Sequence, residues 1–247
     1  MSNLTERFEE IKDSKDPDII NDFLIELGRY PKKEHLAIID YFIENYDPVR
    51  FSQIKLNLIF NIGEIGIEQS LDNKYIDFLI DEYYSSDRWV RNEILSTLNK
   101  IANHTKFPVQ IFEILKYAIL DDYLPISINA MKAIMHYENI ADDSFKKIFK
   151  LLRTSDLKLQ DQISNVLKKF IKNEYRLFEL LTDSDNYKSF NKKALRSLLI
   201  IYFDSAMSLS NLESFRKLLE NSEWEIDYKE MFFNEIDTYE KLLLRGI

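Results

Sequence analysis

Three histidines, a few adjacent carboxylates and groups of lysine are the side chains with chemistry to offer in this chain. His35, His104 and His136 are the only imidazoles. No two of them lie four residues apart, and there is no His-Glu-x-x-His, so one helix face cannot present a histidine pair to zinc. Solvated or locally bonded histidines are expected. Asp81-Glu82, Asp121-Asp122 and Asp142-Asp143 could in principle share acid–base work. Each pair falls near the end of an apolar-periodic segment, where carboxylates cap free amides instead. With 4 Gly and no Cys, the chain has no thiolate nucleophile, disulfide or cysteine metal site. It has no Gly-x-x-x-x-Gly-Lys loop and no Gly-x-Ser-x-Gly elbow. No catalytic residue, cofactor or metal is expected.

What remains is an uneven distribution of charge. The net charge is −9, which on average disfavours polyanions. Residues 1–100 carry −8, residues 101–200 carry +4 and residues 201–247 carry −5. The basic residues concentrate on particular helices, so the helices have to be placed first.

Helices are expected throughout. The chain is 45% hydrophobic and 30% charged, which fits a globular protein, and 4 Gly with 5 Pro is too few turn residues for a sheet protein of 247 residues. Val90, Ile94, Leu98 and Ile101 fall on one helix face at 100° per residue. So do Ile126, Ala130, Ala133, Ile134 and Tyr137, then Leu159, Ile163, Val166, Leu167 and Phe170, then Phe190, Ala194, Leu195, Leu198 and Ile201. An aspartate precedes each of these four runs (Asp87, Asp122, Asp156 and Asp185), and Asp47 precedes the helix expected at 48–62; the five are spaced by 40, 35, 34 and 29 residues. Asp suits an N-cap because its carboxylate accepts from first-turn amides and meets the positive end of the helix dipole. Pro48, Pro108 and Pro125 stand where a missing N–H costs little.

A second amphipathic helix precedes each aspartate, and a helix pair every 30–40 residues marks stacked repeats. The expected outer helices are 4–13, 32–45, 71–84, 109–120, 142–153, 175–183 and 210–221. The expected inner helices are 17–29, 48–62, 88–102, 124–138, 157–172, 187–203 and 227–243. The whole of 1–247 is expected to be one domain. Residues 1–30 would form an N-terminal cap pair, 31–206 the central repeats and 207–247 a C-terminal cap pair. No apolar run approaches the ~18 residues of a membrane span, and the first residues lack an apolar signal core. A cytoplasmic protein is expected.

Asp87-Arg88-Trp89-Val90-Arg91, followed by Ile94, Leu95 and Leu98, resembles the second helix of a HEAT repeat. Asp47-Pro48-Val49-Arg50 is similar. Ile126-Ser127, Leu159-Gln160 and Phe190-Asn191 keep the apolar spacing and lose the Val-Arg pair. The resemblance implies an all-α fold, a right-handed α-α superhelix (alpha-solenoid) of about seven HEAT-like helix pairs. It also implies a scaffold, not an enzyme, that holds a protein or peptide in a concave groove lined by the inner helices.

Five middle inner helices sum to +11. Trp89, Asn92, Ser96 and Asn99 point away from the apolar stripe of helix 88–102, with Trp89 toward one edge. A tryptophan there is more often packed between repeats than exposed. Ile128, Lys132 and Met135 do the same on helix 124–138, Asn165, Lys168 and Lys172 on helix 157–172, and Lys192, Lys193 and Arg196 on helix 187–203. These residues form the expected groove, and its charge favours a protein or peptide with an acidic segment. Trp89-Val90-Arg91 is also locally similar to a segment of the DNA-alkylation-repeat glycosylases, which implies nucleic-acid binding as an alternative. Their Trp-x-x-x-Asp segment is absent.

Overall fold

Carboxylates set where several helices begin. The computed structural model describes residues 4–138, 140, 144, 145, 147, 148, 151, 156–171, 174–183, 187, 188 and 208–245. Asp47 accepts from the amides of Val49 and Arg50, Asp87 from those of Trp89 and Val90, and Asp156 from that of Leu159. Asp16 caps the helix starting at Pro17 in the same way. Asp122 does not act as expected. The N-cap of that helix is Tyr123, and Asp121 accepts from its amide. Asp185 lies outside the described residues.

The described residues form twelve α-helices and no strand. By contact they group into two compact units, Met1–His136 and Tyr137–Ile247. The first unit holds α1 (Leu4–Ile11), α2 (Pro17–Arg29), a 3-10 turn at Lys33–His35, α3 (Leu36–Asn45), α4 (Pro48–Gly66), α5 (Asn73–Ser85), α6 (Arg88–Ile101), α7 (Val109–Ala118) and α8 (Leu124–Ile134). Here α2, α4, α6 and α8 pack side by side in a row, and α1, α3, α5 and α7 each back the next helix of that row. The core lies between the two layers. Phe23, Leu24, Phe42, Leu58, Leu79, Ile94, Leu98, Ile114 and Ile134 are all fully buried there. Burying a side chain of this size contributes ~1.5–3 kcal/mol. His35, expected to be solvated or locally bonded, is buried at the start of α3, and burial pushes its pKa down.

Polar seams fix the register of the row. Asn57 donates to the Asn21 side chain at 2.7 Å, and the fully buried Asn61 donates to the Leu24 carbonyl at 2.9 Å. Thr97 of α6 donates to the Ile59 carbonyl of α4 at 3.0 Å. A slip by one residue would leave the buried Asn61 and Thr97 groups unpaired, at ~1–3 kcal/mol each. α4 runs to Gly66, four residues beyond its expected end. Gly63 and Gly66 serve close approach there, since a Cβ on Gly63 would lie 2.9 Å from Thr97 Oγ1. α8 stops at Ile134, short of 138, because the amides of Met135 and His136 turn back to Lys132 and Ala133.

The second unit contains α9 (Leu157–Phe170), α10 (Glu174–Thr182), α11 (Leu209–Glu220) and α12 (Ile226–Leu244). α10 packs on α11, and α11 on α12. The buried Trp224 ring stacks parallel with two rings, Tyr187 at 4.2 Å and Phe178 at 5.3 Å, and its Nε1 donates to Thr182 at 3.0 Å. Arg216 of α11 binds Asp237 at 2.6 Å and Glu240 at 3.1 Å, both on α12. The expected helices 142–153 and 187–203 lie wholly or largely outside the described residues.

Candidate functional site

The row α2–α4–α6–α8 is backed by α1, α3, α5 and α7 on one side. The residues opposite its buried stripe mark the other side. On α6, Asn92, Ser96 and Asn99 lie about 100–160° around the helix from Ile94 and Leu98 at ~100° per residue. All three are half-buried, and Trp89 beside them is 54% exposed. On α8, Ile128 is half-buried and Lys132 exposed, and half-buried Met135 follows the last turn. Because α6 packs on α8, these seven expected residues share one face. Two residues of α4 join them, Leu56 at 43% exposure and half-buried Phe60.

The face is stitched by its own side chains. Asn99 Nδ2 donates to the Asn129 carbonyl at 3.0 Å, and Asn129 Nδ2 donates to Asn92 Oδ1 at 3.1 Å. Sequence reasoning passed over Asn129. A signal was present, since Asn21, Asn57, Asn92, Asn129 and Asn165 recur at intervals of 36, 35, 37 and 36 residues. Within the row the interval corresponds to bonded pairs on neighbouring helices, Asn21 with Asn57 and Asn92 with Asn129.

The positive charge counted on α4 and α6 is mostly spent within the unit. Arg50 donates to the Ser14 carbonyl at 2.6 Å and lies over the Tyr46 ring. Lys55 binds Glu82 at 3.0 Å and Ser86 at 2.7 Å, both from the end of the α5 segment. Arg91 pairs with Asp121 at 3.5 Å, and Lys100 pairs with Glu64 at 2.8 Å. Arg50 and Arg88 are the cations of these two helices for which no ion pair is found among the described residues, and of the two only Arg50 is held by a carbonyl. In the second unit, α9 exposes Asn165 and Lys168 as expected, with Lys158 and Lys169. Lys172, Lys192, Lys193 and Arg196 lie outside the described residues.

Lys100 stands between two carboxylates. Glu64 is at 2.8 Å and Glu93 at 3.8 Å, and the ammonium sits 4.3 Å from the Phe60 ring centre. Burial pushes the Glu93 carboxyl up, Lys100 opposes this, and Glu64 adds to it. A raised carboxyl pKa means the folded chain binds the proton more tightly than the unfolded chain does. Stability therefore falls as pH rises from the ordinary carboxylate value through the raised one. Replacing Glu93 with glutamine removes that penalty and leaves Glu64 on Lys100. Thermal unfolding at neutral pH should show a higher midpoint for Glu93→Gln, with the gap closing as pH falls toward the ordinary carboxylate range. A lower midpoint at neutral pH would show that the Lys100 pairing outweighs burial.

The described residues contain no group of three or more His, Cys, Asp or Glu able to hold a metal ion, and no helix long and apolar enough to cross a membrane. An open cleft of about 400 Å³ lies between the segment after α2 and the end of α4. Lys32 and Lys33 face Glu64 and Glu68 across it.

No family model matches this chain. No curated protein matches it. Among solved structures, it is similar to the crystal structure of an engineered protein, with a TM-score of 0.52 and 16% identity, covering 96% of this chain and 68% of the other. That likeness concerns the helical fold alone.

Proposed function

We propose that this protein is a non-enzymatic, HEAT-like helical-repeat scaffold that binds a protein or peptide along the uncovered face of its inner helices. On this reading the chain is one cytoplasmic repeat array, a right-handed superhelix of about seven helix pairs. Its inner face is the concave groove, and the partner offers an acidic segment. The observation that carries the reading is the make-up of the α4–α6–α8 face. Leu56, Phe60, Trp89, Ile128 and Met135 supply apolar area among Asn92, Ser96, Asn99 and Lys132. Apolar anchors within a polar surround are how protein interfaces concentrate binding energy. The asparagines bonded across α6 and α8 hold the surface rigid before any partner arrives, which lowers the cost of association.

The alternative, nucleic-acid binding, has less support. In Trp89-Val90-Arg91, Val90 is buried and Arg91 is engaged by Asp121 and lies 5.9 Å from the Tyr83 ring centre. That segment offers little to phosphate, and duplex or single-stranded DNA should fail to bind at ~50 mM salt. The direct test is affinity capture from native lysate, comparing the wild type with Ser96→Arg/Lys132→Glu. Both positions lie on the uncovered face, so circular dichroism should match the wild type. A discrete set of proteins should be lost from the variant. Recovery of the same set by both proteins would overturn the proposal.

A further inference from the structure

Trp89 is 54% exposed in the first turn of α6. Its ring meets Tyr123 edge to face at 5.6 Å. The Arg88 guanidinium lies 5.1 Å from the centres of both rings. Edge-to-face ring pairs and cation–ring contacts are attractive because the positive ring edge or the cation meets the negative ring face. They also limit the rotamers of a side chain that would otherwise sample many.

The nearby carboxylates have other duties. Asp87 accepts from the amides of Trp89 and Val90 at 2.9 and 3.1 Å. Asp121 accepts from the Tyr123 amide at 2.8 Å and pairs with Arg91 at 3.5 Å. Asp122 is exposed and is the acidic group a heavily acidic peptide would meet beside Tyr123. Tyr123 is the N-cap of α8 and makes no side-chain cap bond.

We propose that Arg88, Trp89 and Tyr123 form a receptor for one carboxylate set beside a large apolar side chain, as in a Glu-Leu-Phe stretch of a partner protein. The inference rests on the protein-binding reading of this face. Arginine presents a planar fork of donors that matches a carboxylate with two parallel hydrogen bonds. The two rings hold that fork and offer their remaining surface to the neighbouring apolar group. A lysine at position 88 would keep the charge and lose the fork.

Calorimetric titration of the full chain with three capped pentapeptides tests this: Ser-Glu-Leu-Phe-Ser, its Glu→Gln analogue and its Glu→Lys analogue. The Glu peptide should bind at least about tenfold more tightly than the Gln peptide, as the loss of charge-assisted hydrogen bonds requires. Arg88→Ala should weaken the Glu peptide by a similar factor, Arg88→Lys by less, and Trp89→Ala should weaken all three peptides. Equal binding by Arg88→Ala and the wild type would overturn the proposal, as would preference for the Lys peptide. A dimer in sedimentation that Trp89→Ala abolishes, with no peptide bound, would assign the patch to a second copy of the chain instead. If no peptide binds but Trp89→Ala removes captured proteins, this receptor falls while the protein-binding reading stands.

Discussion

Replacing Trp224 with alanine should destabilise the second unit by about 3–5 kcal/mol, the usual cost of removing a buried tryptophan. The ring is 5% exposed and stacks parallel with two neighbours, Tyr187 and Phe178. Truncation leaves a cavity beside two rings and removes the bond from Nε1 to the exposed Thr182 hydroxyl. The same change at Trp89, which is 54% exposed and has one ring neighbour, should cost about 1 kcal/mol or less. Urea unfolding of the two alanine variants, followed by circular dichroism, measures both. Equal losses would mean that Trp89 is a packing residue and would remove the main apolar anchor of the proposed face. Trp224→Phe should retain most of the stacking, so a loss as large as that of the alanine variant would point to the Thr182 bond as the dominant contribution.

Helix positions were legible because they are local. Asp47, Asp87 and Asp156 each bond amides two or three residues ahead, and the 100° spacing of Val90, Ile94, Leu98 and Ile101 marks the buried side of α6. The uncovered face follows from the same periodicity, which is why Asn92, Ser96, Ile128 and Lys132 fall together. Charge was not legible in the same way. Lys55 finds Glu82 27 residues away, and Arg91 finds Asp121 30 residues away. No periodicity along one helix reveals a partner on another, so a sum over helices overstates the exposed positive surface of the first unit. The length of α4 was missed for a related reason. Glycine lowers helix propensity by ~1 kcal/mol relative to alanine, and the benefit of Gly63 and Gly66 appears only when α6 and the segment before α5 pack against them. The second unit's aromatic stack depends on Tyr187, Phe178 and Trp224 meeting across a long stretch of sequence, which no local pattern encodes.

Gly66 gives the second large effect. A Cβ there would lie 2.5 Å from Ile101 Cγ2 and 2.9 Å from Leu71 Cδ1. Ile101 is fully buried, and its Cγ2 branches from the Cβ, so it cannot swing away as the tip of a long side chain would. The end of α4 must therefore move from the end of α6. Overpacking of this kind costs about 1–3 kcal/mol, more than the helix propensity alanine gains at the last residue of α4. Gly66→Ala should lower the unfolding midpoint, and Ile101→Leu, which removes the branch at Cβ, should recover much of the loss in the double variant. A positive coupling in that cycle identifies the contact itself as the cause. The effect should also reach the proposed binding face. Phe60 on α4 and Asn92 and Ser96 on α6 keep their mutual positions only while the two helices stay at their present approach. The Gly66→Ala protein should bind partners more weakly at temperatures where it remains folded, and the Ile101→Leu partner should restore both properties together. Stability restored without binding would mean that the face tolerates a shift of α4, and that the spacing of these two helices is not what a partner reads.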